Sequence, residues 1–372
     1  MDFELEWQQE ELKRTARNFL RKTCSLENLL EAEESTTGFS LSAYREMGRL
    51  GWLEVGLPSD RGGSGDFIDS LVLYEEFGRA ALPGPHFVSS FLGGQILLAL
   101  GGPTHQDQLQ RVTTGEWITT VALYEETADY EPHSVRLCVE TKDSYVSLTG
   151  RKLFVPFAHV CDFLIVLART GPKPEQLTFY VVPRDTRGLE ITPLQTISGE
   201  KQCVVEFTNV ILAADAMLGP LNSGWETLQS LLPRATVLQA SELVGIADAA
   251  LEMAVEYAKQ RIAFGRPIGS FQAIQHKCAE MVTERDAARF LTYQAACFIK
   301  MGEPLRAEVA MAKAFAGTAA RRVTKEAHQI FGGAGYIKQN RLNFYYRRAK
   351  GIELALGDVN EQLRVIGDRW CP

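Results

Sequence analysis

The sequence predicts an α+β protein in which a helical region, a β region and a second helical region follow one another along 372 residues. Three observations predict this order. Apolar residues recur at three- and four-residue spacing up to about residue 115 and again after about residue 220. Between these regions, short runs rich in β-branched and aromatic residues alternate with turn residues. The length suits two or three domains, which we place at 1–115, 116–219 and 220–372.

The first region shows helical periodicity from its start. The apolar positions of the first predicted helix are Trp7, Leu12, Ala16 and Phe19-Leu20, a spacing typical of an amphipathic helix. Further helices are predicted over Leu41 to Leu50 and over Ile68 to Ala80. The loop from Leu57 to Gly65 is rich in turn residues. No strand precedes it and no Lys-Ser/Thr closes it, so we interpret it as a connection rather than a phosphate-binding loop.

The middle region contains a series of short predicted strands. They are Thr119–Leu123, Val135–Glu140, Tyr145–Leu148, Phe163–Ala168, Leu177–Val182, Leu189–Leu194 and Cys203–Val210. Turn signals such as Gly150-Arg151 and the segment 184–188 separate them. Strands with turns every 8–12 residues or so indicate a small antiparallel barrel or sandwich. Because no long helix lies between the strands, we do not expect a Rossmann unit.

The third region is predicted to form a four-helix bundle. Pro233 fits the first turn of a long helix that runs through Ala235–Arg261. Helices are also predicted over Phe271–Met301 and over Pro304–Phe331, the latter closed by Gly332-Gly333. Asp358, with Glu361 three residues later, predicts a capped start for the last helix.

Composition narrows the classes of function. Lys and Arg number 39 against 46 Asp and Glu, a net charge of -7, which argues against nucleic acid as a partner. The seven cysteines form no CxxC pair and no Cys/His cluster at metal spacing, so we expect reduced thiols and no metal. No apolar run reaches about 18 residues and no charged-then-apolar leader begins the chain. We therefore expect a cytoplasmic protein that does not span a membrane.

Two motifs in the third region indicate a nucleotide ligand. The first contains Arg261, Phe264-Gly265, Pro267-Ile268 and Phe271-Gln272; the second contains Gln329, Gly332-Gly333 and Gly335 and is followed by Arg347-Arg348-Ala349. An arginine suits bidentate contacts with a pyrophosphate, and a glycine pair lets the backbone approach a ligand closely. Singly, Arg261 would fit a salt-bridged helix end and Gly332-Gly333 a helix C-cap. Together they favour a dinucleotide site.

These motifs resemble signature segments of the acyl-CoA dehydrogenase family, and weaker similarity extends over nearly the whole chain. The resemblance implies an FAD enzyme that removes the α-proton of an acyl-CoA thioester with a carboxylate while a β-hydride goes to flavin N5. It also implies a dimer or tetramer that shares FAD between subunits, with electron-transfer flavoprotein as acceptor. The residues it assigns to FAD are Arg261, Phe264, Gln272, Gln329, Gly332, Gly333, Asn360 and Phe154. It assigns Arg234 to the CoA or thioester side of the substrate.

The catalytic carboxylate that the family would supply is missing. The position where most members carry it holds Leu356, and the alternative position on the long helix holds Ala235. Glu353, one helical turn before Leu356, is the candidate replacement. Other acids nearby are Asp358, which also suits a helix N-cap, and Glu242.

The β region departs from the family as well. Tyr124-Glu125-Glu126 stands where Thr-Glu-Pro is usual, and Phe154-Val155-Pro156 where Trp-Ile-Thr or Trp-Ile-Ser is usual. Phe154 can still stack on a flavin ring, but Pro156 has no hydroxyl to offer it. The nucleotide half of the expected site is therefore intact, while the half that contacts the flavin ring has changed.

Several functions stay open at this point. One is a dehydrogenase subunit with a displaced base, which the retained aromatic residue favours. Another is a non-catalytic partner that completes the FAD site of a sister chain, which the missing carboxylate favours. A flavin monooxygenase or oxidase on the same fold would need no base, but no feature of the sequence supports it. A purely structural protein would leave the paired nucleotide motifs without a purpose.

Overall fold

The computed structural model describes residues 4–57, 64–127, 131–142, 145–302 and 306–370. The chain divides into two compact units. The first consists of Met1–Glu31, Asp66–Leu82 and Pro233–Pro372, and the second of Ala32–Gly65 and Pro83–Leu232. The predicted domain boundaries at 115/116 and 219/220 stay a prediction. Within the described ranges, no helix is long and apolar enough to cross a membrane.

The α-helices of the described chain confirm the predicted order of helices, sheet and helices. They are α1 Trp7–Thr23, α2 Leu26–Glu34, α3 Leu41–Arg49, α4 Phe67–Ala80, α5 Gly94–Leu100, α6 Gln106–Thr113, α7 Gly224–Gln260, α8 Gln272–Lys300, α9 Arg306–Phe331, α10 Leu342–Leu354 and α11 Val359–Trp370; a π-helix, His86–Gly93, leads into α5. Two parts of predicted segments, 58–63 in the loop and 304–305 at the start of a helix, lie outside the described residues.

The strands are β1 Thr119–Ala122, β2 Cys138–Lys142, β3 Tyr145–Pro156, β4 Phe163–Arg169, β5 Leu177–Pro183, β6 Leu189–Leu194, β7 Gln202–Ala213, β8 Met217–Leu218, β9 Ile262–Ala263 and β10 Arg266–Pro267. In the second unit, β1 to β8 form one sheet in the order β6-β7-β3-β2-β4-β5-β8, with β1 paired to β4, and in the first unit β9 pairs with β10.

Most strand pairs are antiparallel, as predicted, but two pairings are parallel. Strand β1 runs parallel to β4 along its whole length, and a single bridge joins Cys138 of β2 to Arg169 of β4 in the same sense. The β2–β3 hairpin lies between β1 and β4 in the sequence. That long connection lets the chain re-enter the sheet in the same direction, which a tight hairpin could not do.

Gly150-Arg151 is not a turn, contrary to the prediction. Both residues lie inside β3, where the register against β7 shifts between Leu148 and Gly150. A Cβ on Gly150 would lie 2.8 Å from the Cα of Leu137, and its φ is 146°. The glycine therefore serves a β-bulge and a close backbone approach rather than a chain reversal.

Helix α1 packs against α4 in the first unit. Ala16 and Leu20 are buried as the periodicity predicts, whereas Trp7 is 76% exposed and does not belong to the buried face. Gln9 occupies that face instead, where its amide donates to Asp69 Oδ1 at 3.1 Å. A buried polar side chain with a hydrogen-bond partner thus replaces an aromatic one at this end of the helix.

The sequence suggested that Pro233 lies in the first turn of its helix. In the structure, Pro233 lies inside α7. The helix begins nine residues earlier, at Gly224, where the Thr227 N–H donates to the Ser223 carbonyl at 3.1 Å. Leu228 and Leu231 are buried in this early segment. Because these leucines are packed in the core, the helix continues through Pro233, a residue type that is usually found near a helix start.

Helices α4 and α7 cross with their backbones in direct contact. A Cβ added to Gly78 of α4 would lie 1.9 Å from the carbonyl oxygen of Glu242, and one added to Gly245 of α7 would lie 1.8 Å from that of Glu75. No side chain fits at either position. The crossing therefore requires glycine on both helices.

A buried lysine holds the end of α10. Lys313 of α9 is 2% exposed. Its Nζ lies within hydrogen-bonding distance of the main-chain oxygens of Ile352 at 3.0 Å, Glu353 at 3.2 Å, Ala355 at 2.6 Å and Gly357 at 3.4 Å. The last carbonyls of a helix lack partners within the helix, and the ammonium group supplies them. Burial lowers the pKa of Lys313 to about 7.

Replacing Gly245 by alanine should destabilise the protein by about 2 kcal/mol or more, because the new methyl group would overlap the Glu75 carbonyl and force α4 and α7 apart. Gly367→Ala is the matched control. It also lies in a helix, but nothing lies within 4 Å of its Cβ position, so it should gain about 0.5–1 kcal/mol. Urea unfolding measures both; equal effects would contradict the close crossing.

The stability of the protein should depend on the charge of Lys313. Its folded pKa lies below the ordinary value, so between about pH 7 and 10 the unfolded chain binds the proton more strongly than the folded chain. Folding stability should therefore rise with pH in this window, by up to about 1.4 kcal/mol per pH unit. Urea unfolding at pH 7 to 9 should show this slope in the wild type but not in Lys313→Met. Parallel slopes would show that the carbonyl groups keep the ammonium protonated.

Candidate active site

The first nucleotide motif forms a tight hairpin at the end of α7. Strands β9 and β10 pair across the two-residue turn Phe264-Gly265, in which φ is 53° and 79°. Positive φ at both central positions is typical of a type I′ turn, which suits glycine but strains phenylalanine. The strained turn holds the Phe264 ring 95% exposed. An aromatic surface is thus presented to solvent on a rigid support.

Arg261 stands at the base of this hairpin. Its main-chain N–H donates to the Tyr257 carbonyl at 2.8 Å, and its carbonyl accepts from Ile268 N–H at 2.8 Å. The guanidinium group is exposed and has no carboxylate partner among the residues that the structure describes. Gln272, the first residue of α8, is exposed as well. A fixed backbone with a free cation suits the binding of an anion.

The second motif ends α9. Gly332 has a φ of 58°, as expected of a glycine that closes a helix. Cβ atoms added to Gly332 or Gly333 would meet nothing within 4 Å, and Gln329 is exposed. The backbone here is open to a ligand. Gly332-Gly333 therefore both closes the helix and leaves room for a ligand.

An aromatic stack brings the two motifs together. The rings of Tyr257, one turn before Arg261, and Phe331, next to Gly332, lie 4.2 Å apart with planes 15° from parallel. This stack places the hairpin base and the glycine pair beside one another. Neither motif had indicated this stack, although both residues lie within or beside the two motifs.

Asn360 lies exposed in the first turn of α11. Asp358 caps this helix, because the Glu361 N–H donates to Asp358 Oδ1 at 2.9 Å. The capping prediction is therefore correct, and Asp358 is occupied in a structural role. The side chain of Asn360 approaches Asp358 Oδ2 at 3.5 Å, which leaves its amide oxygen available.

The position of the usual family carboxylate is an apolar, strained residue. Leu356 has a φ of 56° and is 7% exposed. Gln362 Nε2 donates to its carbonyl at 2.9 Å, and Lys313 binds the carbonyls on either side. A leucine in the left-handed region costs about 1–2 kcal/mol, and these two side chains hold the conformation. The shape of the loop is fixed, although no acid occupies it.

Glu353, the candidate replacement base, is buried between α10 and α9. It is 4% exposed, and a Cβ on Gly317 would lie 3.0 Å from its Cγ. Lys350 Nζ donates to its Oε2 at 3.1 Å. The carboxylate is thus held in an ion pair within a helix contact. This geometry gives it a structural role besides any catalytic one.

Helix α7 carries the other positions named for the substrate side. Ala235 is fully buried, and no acid replaces it there. The Arg234 guanidinium lies over the Phe67 ring at 4.8 Å. It is therefore half-buried against an aromatic ring within α7 rather than solvated at a helix start.

The β3 segment that carries Phe154 is held from inside the sheet. Phe154 has a φ of 52° and is 43% exposed, beside the second register shift of β3. The fully buried Lys152 donates to Glu125 Oε1 at 2.8 Å and to the Leu123 carbonyl at 3.1 Å. Burial lowers the pKa of Lys152, and the Glu125 carboxylate opposes that shift.

Glu125 completes this buried network. Its carboxylate also accepts from the main-chain N–H groups of Arg136 at 2.8 Å and Leu137 at 3.1 Å. The change to Tyr124-Glu125-Glu126 therefore keeps an acid with a structural task. Sequence reasoning missed Lys152, although a lysine at an inward position of a strand was a usable signal.

The residues of the first unit fit the nucleotide part of FAD: an exposed guanidinium, an exposed ring, amides and a glycine backbone with free space. In the second unit, Phe154 offers a partly exposed ring, while Pro156 offers no hydroxyl. Among the described residues, no group of three or more His, Cys, Asp or Glu side chains could hold a metal ion.

Known proteins are similar to this chain over most of its length. The N-terminal domain of acyl-CoA dehydrogenases matches residues 6–116, the middle domain residues 120–210 and the C-terminal domain residues 222–370. A probable acyl-CoA dehydrogenase, YngJ of Bacillus subtilis, is 31% identical over 98% of this chain and 98% of its own. A 3-(aryl)acrylate reductase of Clostridium sporogenes is 32% identical over 96% of this chain and 97% of its own.

A solved structure is similar along its whole length. One chain of the ChsE4-ChsE5 complex of Mycobacterium tuberculosis superposes with a TM-score of 0.89 at 25% identity, covering 100% of this chain and 99% of that chain. The predicted fold class is confirmed, with an N-terminal helical domain, a middle β domain and a C-terminal helical domain. The chain belongs to the acyl-CoA dehydrogenase family, whose members are FAD-dependent oxidoreductases.

Proposed function

We propose that the chain is the FAD-binding subunit of an acyl-CoA dehydrogenase that forms the α,β-double bond of an acyl-CoA thioester. The observation that carries this proposal is the exposed Arg261–Phe264 hairpin, joined to Gly332-Gly333 by the Tyr257–Phe331 stack. FAD, when bound, supplies the hydride acceptor at flavin N5. The proposed electron acceptor is electron-transfer flavoprotein, and the proposed assembly is a dimer or tetramer. The cytoplasmic location stays a prediction.

The residues of the first unit would hold the nucleotide. The Arg261 guanidinium would pair with the pyrophosphate in a bidentate manner, and Phe264 would cover one side of it. Gln272, Gln329 and Asn360 would contribute amide hydrogen bonds. Gly332 and Gly333 would let the backbone approach the ligand without a side chain in the way.

Two further residues would act nearer the chemistry. Phe154 would place its ring against the isoalloxazine, supported from inside the sheet by the Lys152–Glu125 pair. Arg234 would contact the CoA or thioester side of the substrate, with its guanidinium steadied by Phe67.

An enzyme that acts alone needs a catalytic base. An α-proton beside a thioester is weakly acidic, so its removal needs a positioned carboxylate. Leu356 and Ala235 cannot supply one. Glu353 is the remaining proposal for that role, and it would first have to leave its ion pair with Lys350.

A second candidate function is a non-catalytic partner in a hetero-oligomer. The buried Leu356, held in a strained conformation by Lys313 and Gln362, supports it: the loop keeps its shape while lacking its acid. The similarity to a protein solved as a two-component complex supports it further. In this role the chain would supply Arg261 and the glycine pair to a flavin whose base comes from a sister chain.

Arg261→Ala should lose most of its bound FAD, because a charge-assisted contact with the pyrophosphate is worth about 1.5–3 kcal/mol, or roughly 10- to 150-fold in affinity. Flavin absorbance per chain after gel filtration measures the loss. Arg14→Ala is the control, since Arg14 is an exposed arginine that pairs with Glu11 on its own helix. An Arg261 variant that keeps its full flavin content would contradict the assignment.

Anaerobic flavin bleaching by a panel of saturated acyl-CoAs tests the chemistry. If Glu353 is the base, Glu353→Gln should slow bleaching by about 10²- to 10⁴-fold, whereas Lys350→Gln, which frees the same carboxylate, should not. If the chain is a partner subunit, the wild type should not bleach at all, and Leu356→Glu should introduce bleaching.

The control for that gain is Leu354→Glu, which adds the same acid at a 52% exposed position. Bleaching by the wild type that neither Glu353→Gln nor Leu356→Glu changes would show that the base lies elsewhere. A panel of α,β-unsaturated acyl-CoAs with the reduced flavin tests the reverse direction in the same samples.

A further inference from the structure

A cleft of about 340 Å³ opens between helices of the first unit. We call it the arginine cleft, because Arg17, Arg21, Arg79 and Arg341 line it together with Glu76 and Glu252. Four cations and two anions make its walls basic in a chain whose net charge is -7. A local reversal of the overall charge is typical of a surface that binds an anion.

The acids of this cleft are already occupied. Arg17 holds Glu76 in a bidentate pair, with Nε donating to Oε2 at 2.9 Å and Nη2 to Oε1. Arg79 pairs with Glu252 and also with Asp248 behind the cleft wall. Every carboxylate in the walls is therefore neutralised by one of these two arginines.

Arg21 and Arg341 are left without a carboxylate in the described parts of the chain. Arg21 is exposed at the C-terminal end of α1, and no hydrogen bond or ion pair engages its guanidinium there. Arg341 is half-buried, just before α10. Its Nη2 donates to the Ala80 carbonyl at 2.7 Å, and its Nε is buried with no hydrogen-bond acceptor in the described structure.

A buried donor without an acceptor is uncommon, because it costs about 1–3 kcal/mol. The Ala80 carbonyl fixes Arg341 in position, and its ring neighbour Tyr345 lies 5.8 Å from the guanidinium carbon. The Tyr345 hydroxyl is itself used, since it donates to the Arg79 carbonyl at 2.7 Å. A water molecule or a bound ligand would supply the acceptor for Arg341 Nε.

We propose that the arginine cleft binds a small phosphorylated molecule at a site separate from the flavin site. Two guanidinium groups that no carboxylate of the described residues engages match the two negative charges of a phosphate monoester, and arginine suits its geometry. The volume is that of a small-molecule site. Leu20 and Met253 add an apolar floor, so the ligand carries a short carbon skeleton beside its phosphate.

Isothermal titration of the FAD-loaded protein with inorganic phosphate, at constant ionic strength set by chloride, tests this site. We expect saturable binding that Arg21→Gln and Arg341→Gln each weaken about tenfold, as the loss of one charge-assisted contact would. Arg14→Gln, on the same helix but outside the cleft, should bind like the wild type.

Arg261→Gln and the wild type, both titrated without FAD, separate the arginine cleft from the nucleotide site. Phosphate binding that survives Arg261→Gln and falls in Arg21→Gln supports the proposal. Binding lost with Arg261, or no saturable binding in the wild type, overturns it. Because Arg341 also holds the Ala80 carbonyl, its variant could fold poorly; Arg21, whose side chain supports no other group, keeps the test decisive. Glycerol 3-phosphate should then bind more tightly than phosphate, since it alone reaches the apolar floor.

Discussion

The first unit depends on the direct backbone contact between α4 and α7 at Gly78 and Gly245. Because no side chain separates the helices, neither can shift without losing the contact, and the Ser241 hydroxyl locks it further by donating to the Leu71 carbonyl at 2.7 Å. Helix α7 continues from this crossing to the hairpin of Arg261. The contact therefore fixes the direction in which the nucleotide motif is presented, about four turns away.

Local sequence patterns predicted the helices and strands. The positions that they predicted wrongly are determined by tertiary packing. The order of helices and strands followed from periodicity, because burial of one face imposes it on the sequence. Pro233 and Gly150 were misplaced because each residue has two common uses, and a helix start or a turn is the commoner one. Their neighbours in space, and not in sequence, select a helix interior and a β-bulge.

Some residues of the candidate site could be predicted from the sequence, and others could not. Arg261, Phe264 and the glycine pair could be found because their spacing belongs to a motif and their chemistry suits a dinucleotide. Lys313 and Lys152 could not be assigned in advance, since each binds main-chain carbonyls or an acid brought near only by folding. Buried lysines of this kind fix the shape of loops. The loop around position 356 can therefore keep its shape with leucine in place of an acid.

The strained turn at Phe264 links the folded state to its surroundings. An aromatic ring that is almost wholly exposed gains nothing from water, and its backbone conformation carries an added cost. On the proposed function, a ligand that covers the ring removes its apolar surface from water, and by mass action it shifts the chain toward the folded form. The abundance of the intact protein in a cell would then follow the supply of flavin, independently of any substrate being turned over.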